Sequence, residues 1–106
     1  MRKKATDALL SMGIPVNQMG FCYIVDAMEL YERHGAPFTN MTLVYVWIAR
    51  EHRTDSEFVK RSIQRSIFYA FSKGDIGEVV KYFGLSQRSN GKNLATLYQR
   101  LKEEEK

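Results

Sequence analysis

A chain of 106 residues has room for one domain with a real core and none for a second. An apolar fraction of 44% and an aromatic fraction of 12% exclude a disordered tail, and no apolar run nears the roughly 18 residues that a bilayer span needs. The net charge of +4 and pI near 9.3 are compatible with a nucleic-acid partner, while the single cysteine, Cys22, excludes an internal disulfide.

The basic start, Met1-Arg-Lys-Lys, is followed only by Leu9 and Leu10 as bulky aliphatics before Ser11. That is too little for a secretory signal, so the expected location is cytoplasmic. Thr6 is a plausible N-cap for a short helix carrying Ala8, Leu9 and Met12 and closed by Gly13. Pro15 breaks the chain there, because it disfavours helix at the preceding residue. Asn17 can cap a longer helix in which Phe21, Ile24, Val25, Met28 and Tyr31 recur at three- and four-residue steps and face the core. Asp26, Glu29, Glu32 and Arg33 form its wetter side, and His34-Gly-Ala-Pro37 ends it. Cys22, among Phe21, Tyr23 and Ile24, reads as a small core residue.

Beyond the polar link around Thr39 and Asn40 lies Met41 to His52. Its Val44-Tyr-Val-Trp-Ile48 run is β-prone by propensity. The segment continues past strand length through Ala49-Arg-Glu-His52, and the next helix needs a partner, so a helix is expected. Thr54, Asp55 and Ser56 are cap candidates for that next helix, whose end is marked by Lys73 and Gly74. Val59, Ile63, Ile67 and Ala70 draw one apolar stripe along it. At 100° per residue, Arg61, Arg65 and Ser72 fall nearly opposite, with Glu57, Lys60 and Gln64 toward one side. A further helix over Asp75 to Phe83 uses Ile76, Val79, Val80 and Phe83 and is closed by Gly84. Asn90-Gly91 is a turn signal in a polar loop from Ser86 to Lys92. The last helix, Lys92 to Lys102, uses Leu94, Leu97, Tyr98 and Leu101 before a frayed acidic end. The expected fold is all-α, a single domain over 1–106 with about six helices. A helix-turn-helix over about 41–74 contains a long recognition helix, Asp55 to Lys73.

Between Arg50 and Lys73 six Lys/Arg stand against three Asp/Glu, so most of the excess positive charge sits in this unit. Arg61 and Arg65, one turn apart, are placed to enter a major groove, where arginine pairs bidentately with guanine. Most Lys/Arg stripes are only solvated faces, and it is the two-helix context that favours double-stranded DNA here. Lys60 suits phosphate; Gln64 can read adenine or bond phosphate oxygens. Ser56 and the helix N-terminus behind it offer N–H groups to a phosphate, with Glu57 in the same first turn. Arg50, Arg53 and Lys73 are further backbone-contact candidates. Phe58 either meets a thymine methyl or packs on the preceding helix, and packing is favoured.

These residues also carry a family resemblance. Gly13 to Pro15, Gly20, Tyr23, Ala27 and Ile48-Ala49 match, as does Val59-x-Arg61-x-Ile63-x-x-x-Ile67. Ala70-x-Ser72-x-Gly74, the Ser-Lys-Gly-Asp-Ile exit and Phe83-Gly84 complete the match. From Pro15 onward the chain resembles the C-terminal DNA-binding domain of the stage-zero sporulation response regulator, the master regulator of endospore formation. The resemblance implies a six-helix fold, tandem or dimeric binding of a short DNA box, and a role as the output half of a phosphorelay regulator. That family normally places arginine where Phe58 stands, glutamate at Lys60, arginine at Gln64 and histidine at Arg65, so only Arg61 keeps its type among these positions. Its Leu-Tyr-Pro before Ile48-Ala49 is Val-Tyr-Val here, one residue shorter. The receiver domain that carries the phosphorylation switch is absent from these 106 residues.

His34 and His52 have no Cys or acidic neighbour at metal-ligand spacing along the chain, so neither is expected to bind metal, and His52 is assigned a core or phosphate-contacting role. With no Gly-rich phosphate loop and no nucleophile beside a base, neither an enzyme nor a cofactor is expected. Asp26, Glu29 and Glu32 read as a solvated face. Two rivals remain: an interaction module that keeps the fold and binds another regulator or RNA polymerase, and a structural part of a larger protein.

Overall fold

The computed structural model describes residues 1–104. Among them are six helices and no strand: α1 (Arg2–Ser11), α2 (Met19–His34), α3 (Met41–His52), α4 (Ser56–Lys73), α5 (Ile76–Phe83) and α6 (Asn90–Glu103). The expected all-α class is correct.

The centre of the molecule is the crossing of α2 and α4. The apolar stripe of α2 (Phe21, Ile24, Val25, Met28, Tyr31) is buried, as is that of α4 (Val59, Ile63, Ile67, Ala70). What lets the two axes approach is Gly20. A Cβ there would clash with the backbone carbonyl of Ser62 and stand 2.8 Å from Ser66 Cβ. Ser62 and Ser66 are small buried residues on the facing turns of α4, and Ser66 Oγ donates to Gln18 Oε1 at 2.8 Å. Around this crossing α1 packs on α2, α3 spans α2 and α4, and α6 closes the far side against both.

The β-prone run of α3 is helical because tertiary packing outweighs propensity. Val44, Tyr45, Ile48 and Ala49 bury one face, and Asn40 caps the start by accepting the Thr42 N–H at 3.0 Å. The expected stops of α2 and α4 hold: Gly35 takes a left-handed φ of 77° at the end of α2, and Gly74 ends α4.

Five local expectations are corrected. Thr6 lies inside α1, which begins at Arg2 without a side-chain cap. That early start is held by Arg2, whose guanidinium meets Asp26 (2.9 Å) and Glu29 (3.1 Å) on α2. Gln18, not Asn17, is the N-cap of α2, because the Gly20 contact with α4 sets where the helix begins. Ile76 is 60% exposed, since the first turn of α5 projects beyond the core that holds Val79 and Phe83. Asn90-Gly91 forms the first turn of α6, capped by Ser89, which accepts the Lys92 N–H. Asn90 gains more there than in a loop turn, since its Nδ2 donates to Tyr45 Oη and to the Lys60 carbonyl, both at 3.1 Å. Cys22 is only half-buried, on the flank of α2 and away from the core. Of the stretch expected to fray, 103–106, Glu103 closes α6 and Glu104 is its C-cap, while 105–106 lie outside the described residues.

Candidate nucleic-acid interface

The turn between α3 and α4 is three residues long, Arg53 to Asp55. Arg53 takes a left-handed conformation, φ 54° and ψ 47°, a geometry more often given to glycine. The Thr54 N–H closes on the Ala49 carbonyl at 3.0 Å. Asp55 then caps α4 by accepting the Phe58 N–H at 2.7 Å. Of the three cap candidates, Asp55 fills the position. Its carboxylate occupies an amide assigned above to an incoming phosphate and, with Glu57, places negative charge at this helix end. Ser56 itself is half-buried.

Behind the cap, α4 runs 18 residues with its apolar stripe inward. Glu57, Lys60, Arg61, Gln64, Arg65 and Phe68 stand exposed on the outer side. Arg61, Gln64 and Arg65 share one cleft with Phe68, Gln87 and Arg88. Lys60 and Gln64 also border a wider groove of about 710 Å³ lined by Phe38, Met41, Tyr45, Arg88, Ser89 and Lys92. The structure therefore gathers Lys60, Arg61, Gln64 and Arg65 on one face, as the periodicity predicted. Two tethers hold that face: the Asn90 amide on the Lys60 carbonyl and Gln87 Nε2 on the Gln64 carbonyl at 3.5 Å.

The remaining candidates scatter. Phe58 is 37% exposed and sets its ring edge-on to Tyr23, centroids 6.3 Å apart, so its packing partner is α2 rather than the preceding helix α3. Arg50 borders a separate groove with Leu30, His34, Phe38 and Trp47. Arg53 is exposed on the turn, and Lys73 is exposed three turns beyond Arg61, about 18 Å away at 1.5 Å per residue.

Charge pairing differs along the chain, and among the described residues the cations of α3 and α4 share their lack of a carboxylate partner with Arg88, Lys92 and Arg100. Arg2, Lys3, Arg33 and Lys81 each sit within ion-pair distance of a carboxylate. Among the described residues, none of Arg50, Arg53, Lys60, Arg61, Arg65 and Lys73 does.

Three features escaped the sequence reading. Phe68 is 61% exposed beside Arg61 and Arg65, hidden in the run Ile67-Phe68-Tyr69 that reads as core; its angular offset of about 20° from Arg61 was the available signal. Gln87 and Arg88 border the cleft from the loop after α5. Third, His52 has acidic and thiol neighbours from another helix. Its Nε2 is 2.5 Å from Asp26 Oδ2, and Cys22 Sγ lies 3.9 Å from that same oxygen. The expectation about His52 holds along the chain and fails in space, and Asp26 is not a solvated carboxylate. Burial, then the Asp26 charge, push the Cys22 thiol up from its ordinary value.

An all-α domain with a three-residue turn leading into a long helix whose outer face is cationic is consistent with a helix-turn-helix of the DNA-binding class. Over residues 5–101 the chain matches the family described as Sporulation initiation factor Spo0A C terminal. The chain belongs to this family, a family of DNA-binding effector domains. No helix among the described residues is long and apolar enough to cross a membrane.

Proposed function

We propose that this chain is a sequence-specific DNA-binding transcription-regulator domain acting in the cytoplasm, with α4 as its recognition helix. The reading is carried by one observation: the cations of α3 and α4 stand exposed without carboxylate partners, on a unit fixed to the core by the α2–α4 crossing. In the major groove, about 12 Å wide, Arg61 and Arg65 read base edges while Lys60 and Gln64 bond mainly to phosphates. Arg53, on the turn, and Arg50 and Lys73, at the margins, serve the backbone. One module of this size buries little DNA, so tandem or dimeric occupancy is expected. No catalytic step is assigned to it.

A second reading has its own support. Phe68, 61% exposed amid the arginines, gives the outer face an apolar centre that fits a protein partner such as RNA polymerase as well as a thymine methyl. A titration of duplex DNA at several salt concentrations separates the two. DNA recognition predicts that log affinity falls linearly with log salt, with a slope of about −0.9 per phosphate neutralised. An interaction module shows no salt-dependent affinity for DNA at all.

A further inference from the structure

On the flank of the molecule away from the apolar centre, α2 carries Cys22 and Asp26 one helical turn apart, and α3 ends on His52 beside them. One ligand atom from each, Sγ, a carboxylate oxygen and an imidazole nitrogen, all lie within 4.8 Å of one another. We propose that Cys22, Asp26 and His52 form a binding site for one thiophilic divalent cation, with zinc(II) as the fitting occupant and a solvent molecule in the fourth position.

The geometry is close to what zinc requires. With zinc–ligand bonds of about 2.0–2.3 Å in a tetrahedron, ligand atoms stand about 3.4–3.6 Å apart. Cys22 Sγ is 3.9 Å from Asp26 Oδ2 and has a few tenths of an ångström to close. His52 Nε2, at 2.5 Å from the same oxygen, has about 1 Å to open. The imidazole has that freedom, being the last side chain of α3 and about one-third exposed. Two ligands on a single helix turn are rigidly spaced, and the third comes from another element, so the full site exists only in the folded chain.

The surroundings orient the ligands. Arg2 donates to Asp26 Oδ1 at 2.9 Å, which leaves Oδ2 directed at the cation position. The Tyr23 ring meets the His52 ring edge-on, centroids 5.1 Å apart, and supports the imidazole plane. A thiolate and a carboxylate together neutralise a divalent cation, and sulfur and imidazole donors favour zinc over the hard cations magnesium and calcium. Binding releases the thiol proton. Occupancy would bind the end of α3 to α2 immediately before the turn into α4, and this inference stands independently of DNA recognition.

The test is a zinc titration of the whole chain against a competing chromophoric chelator, paired with cobalt(II) absorption spectra and thermal midpoints with and without metal. The expected result is one equivalent of zinc, a thiolate-to-cobalt charge-transfer band in the near ultraviolet, and a midpoint raised by metal. Cys22→Ser and His52→Gln each weaken zinc about tenfold or more, since even supporting residues around metals cost that much, and the near-isosteric Cys22→Ser keeps the metal-free midpoint. His34→Gln, the other imidazole, changes nothing. No stoichiometric uptake, no thiolate band in the unaltered chain, or equal affinity in Cys22→Ser overturns the proposal; the band needs no variant and so does not depend on one folding.

Discussion

Single atoms decide two features of this molecule. At Gly20 the missing side chain makes room for the Ser62 carbonyl and for Ser66. Alanine is the better helix former by about 1 kcal/mol. That gain is outweighed, because a backbone carbonyl in the centre of α4 cannot rotate away from an added methyl. Gly20→Ala is therefore expected to destabilise the fold by about 1–3 kcal/mol net, read as a lowered denaturant midpoint; an unchanged midpoint would mean the crossing is looser than described. Arg53 is the complementary case, the one non-glycine residue with positive φ among those described. A left-handed residue costs about 1–2 kcal/mol, and glycine's extra chain entropy offsets about half of the relief. Arg53→Gly should leave stability level or slightly raised, whereas Arg53→Val should lower it by about 1–2 kcal/mol. If Arg53 grips phosphate, the glycine variant also loses DNA affinity without losing stability, and the two readouts separate strain from function.

At the scale of the element, α4 is the part most fully written in the sequence. Its stripe of Val59, Ile63, Ile67 and Ala70 is entirely buried, and its cations face solvent, because an 18-residue amphipathic helix repeats its pattern often enough to fix its own orientation. Its beginning at Asp55 and end at Gly74 follow from short-range capping chemistry, which is also local. The outer face makes a quantitative prediction. On the proposed reading Lys60 meets phosphate, so Lys60→Ala should weaken binding to all duplexes alike and reduce the salt slope by about one. Phe68→Ala tests the apolar centre of the same face. On the thymine reading it relaxes base preference at one position only, and on the protein-partner reading the unaltered chain and Phe68→Ala alike select no DNA motif. The boundaries of α1, α2 and α6 were less legible, because each is set by a partner distant in sequence. Arg2 is held by Asp26, Gly20 by α4, and Asn90 by Tyr45 and the Lys60 carbonyl.

Across the whole molecule, long-range polar contacts shape the cleft beside α4, and these have no periodic signature. Asn93 is fully buried, donating to the Phe83 and Ser86 carbonyls at 3.0 and 3.2 Å and accepting the Arg88 N–H at 2.8 Å. It thereby holds the loop that brings Gln87 and Arg88 to the cleft. The Cys22, Asp26 and His52 cluster is equally silent in sequence, since 26 residues separate Asp26 from His52. The sequence resemblance reaches the fold because packing residues such as Gly20, Ile63 and Gly74 are retained. What the resemblance implies stops short of the operator, because of the positions it marks for DNA only Arg61 keeps its type while Phe58, Lys60, Gln64 and Arg65 differ. On the proposed reading, base preference comes from the side chains this chain presents.

The most direct measurement is an unbiased selection of duplex DNA by the intact chain, repeated with Arg61→Ala and Arg65→Ala. The account predicts an enriched motif, and for each variant a loss of about 1–3 kcal/mol confined to one base position. Recovery of no motif, with only weak binding equal for every sequence, would contradict base reading by α4 and leave the protein-partner reading of its outer face in its place.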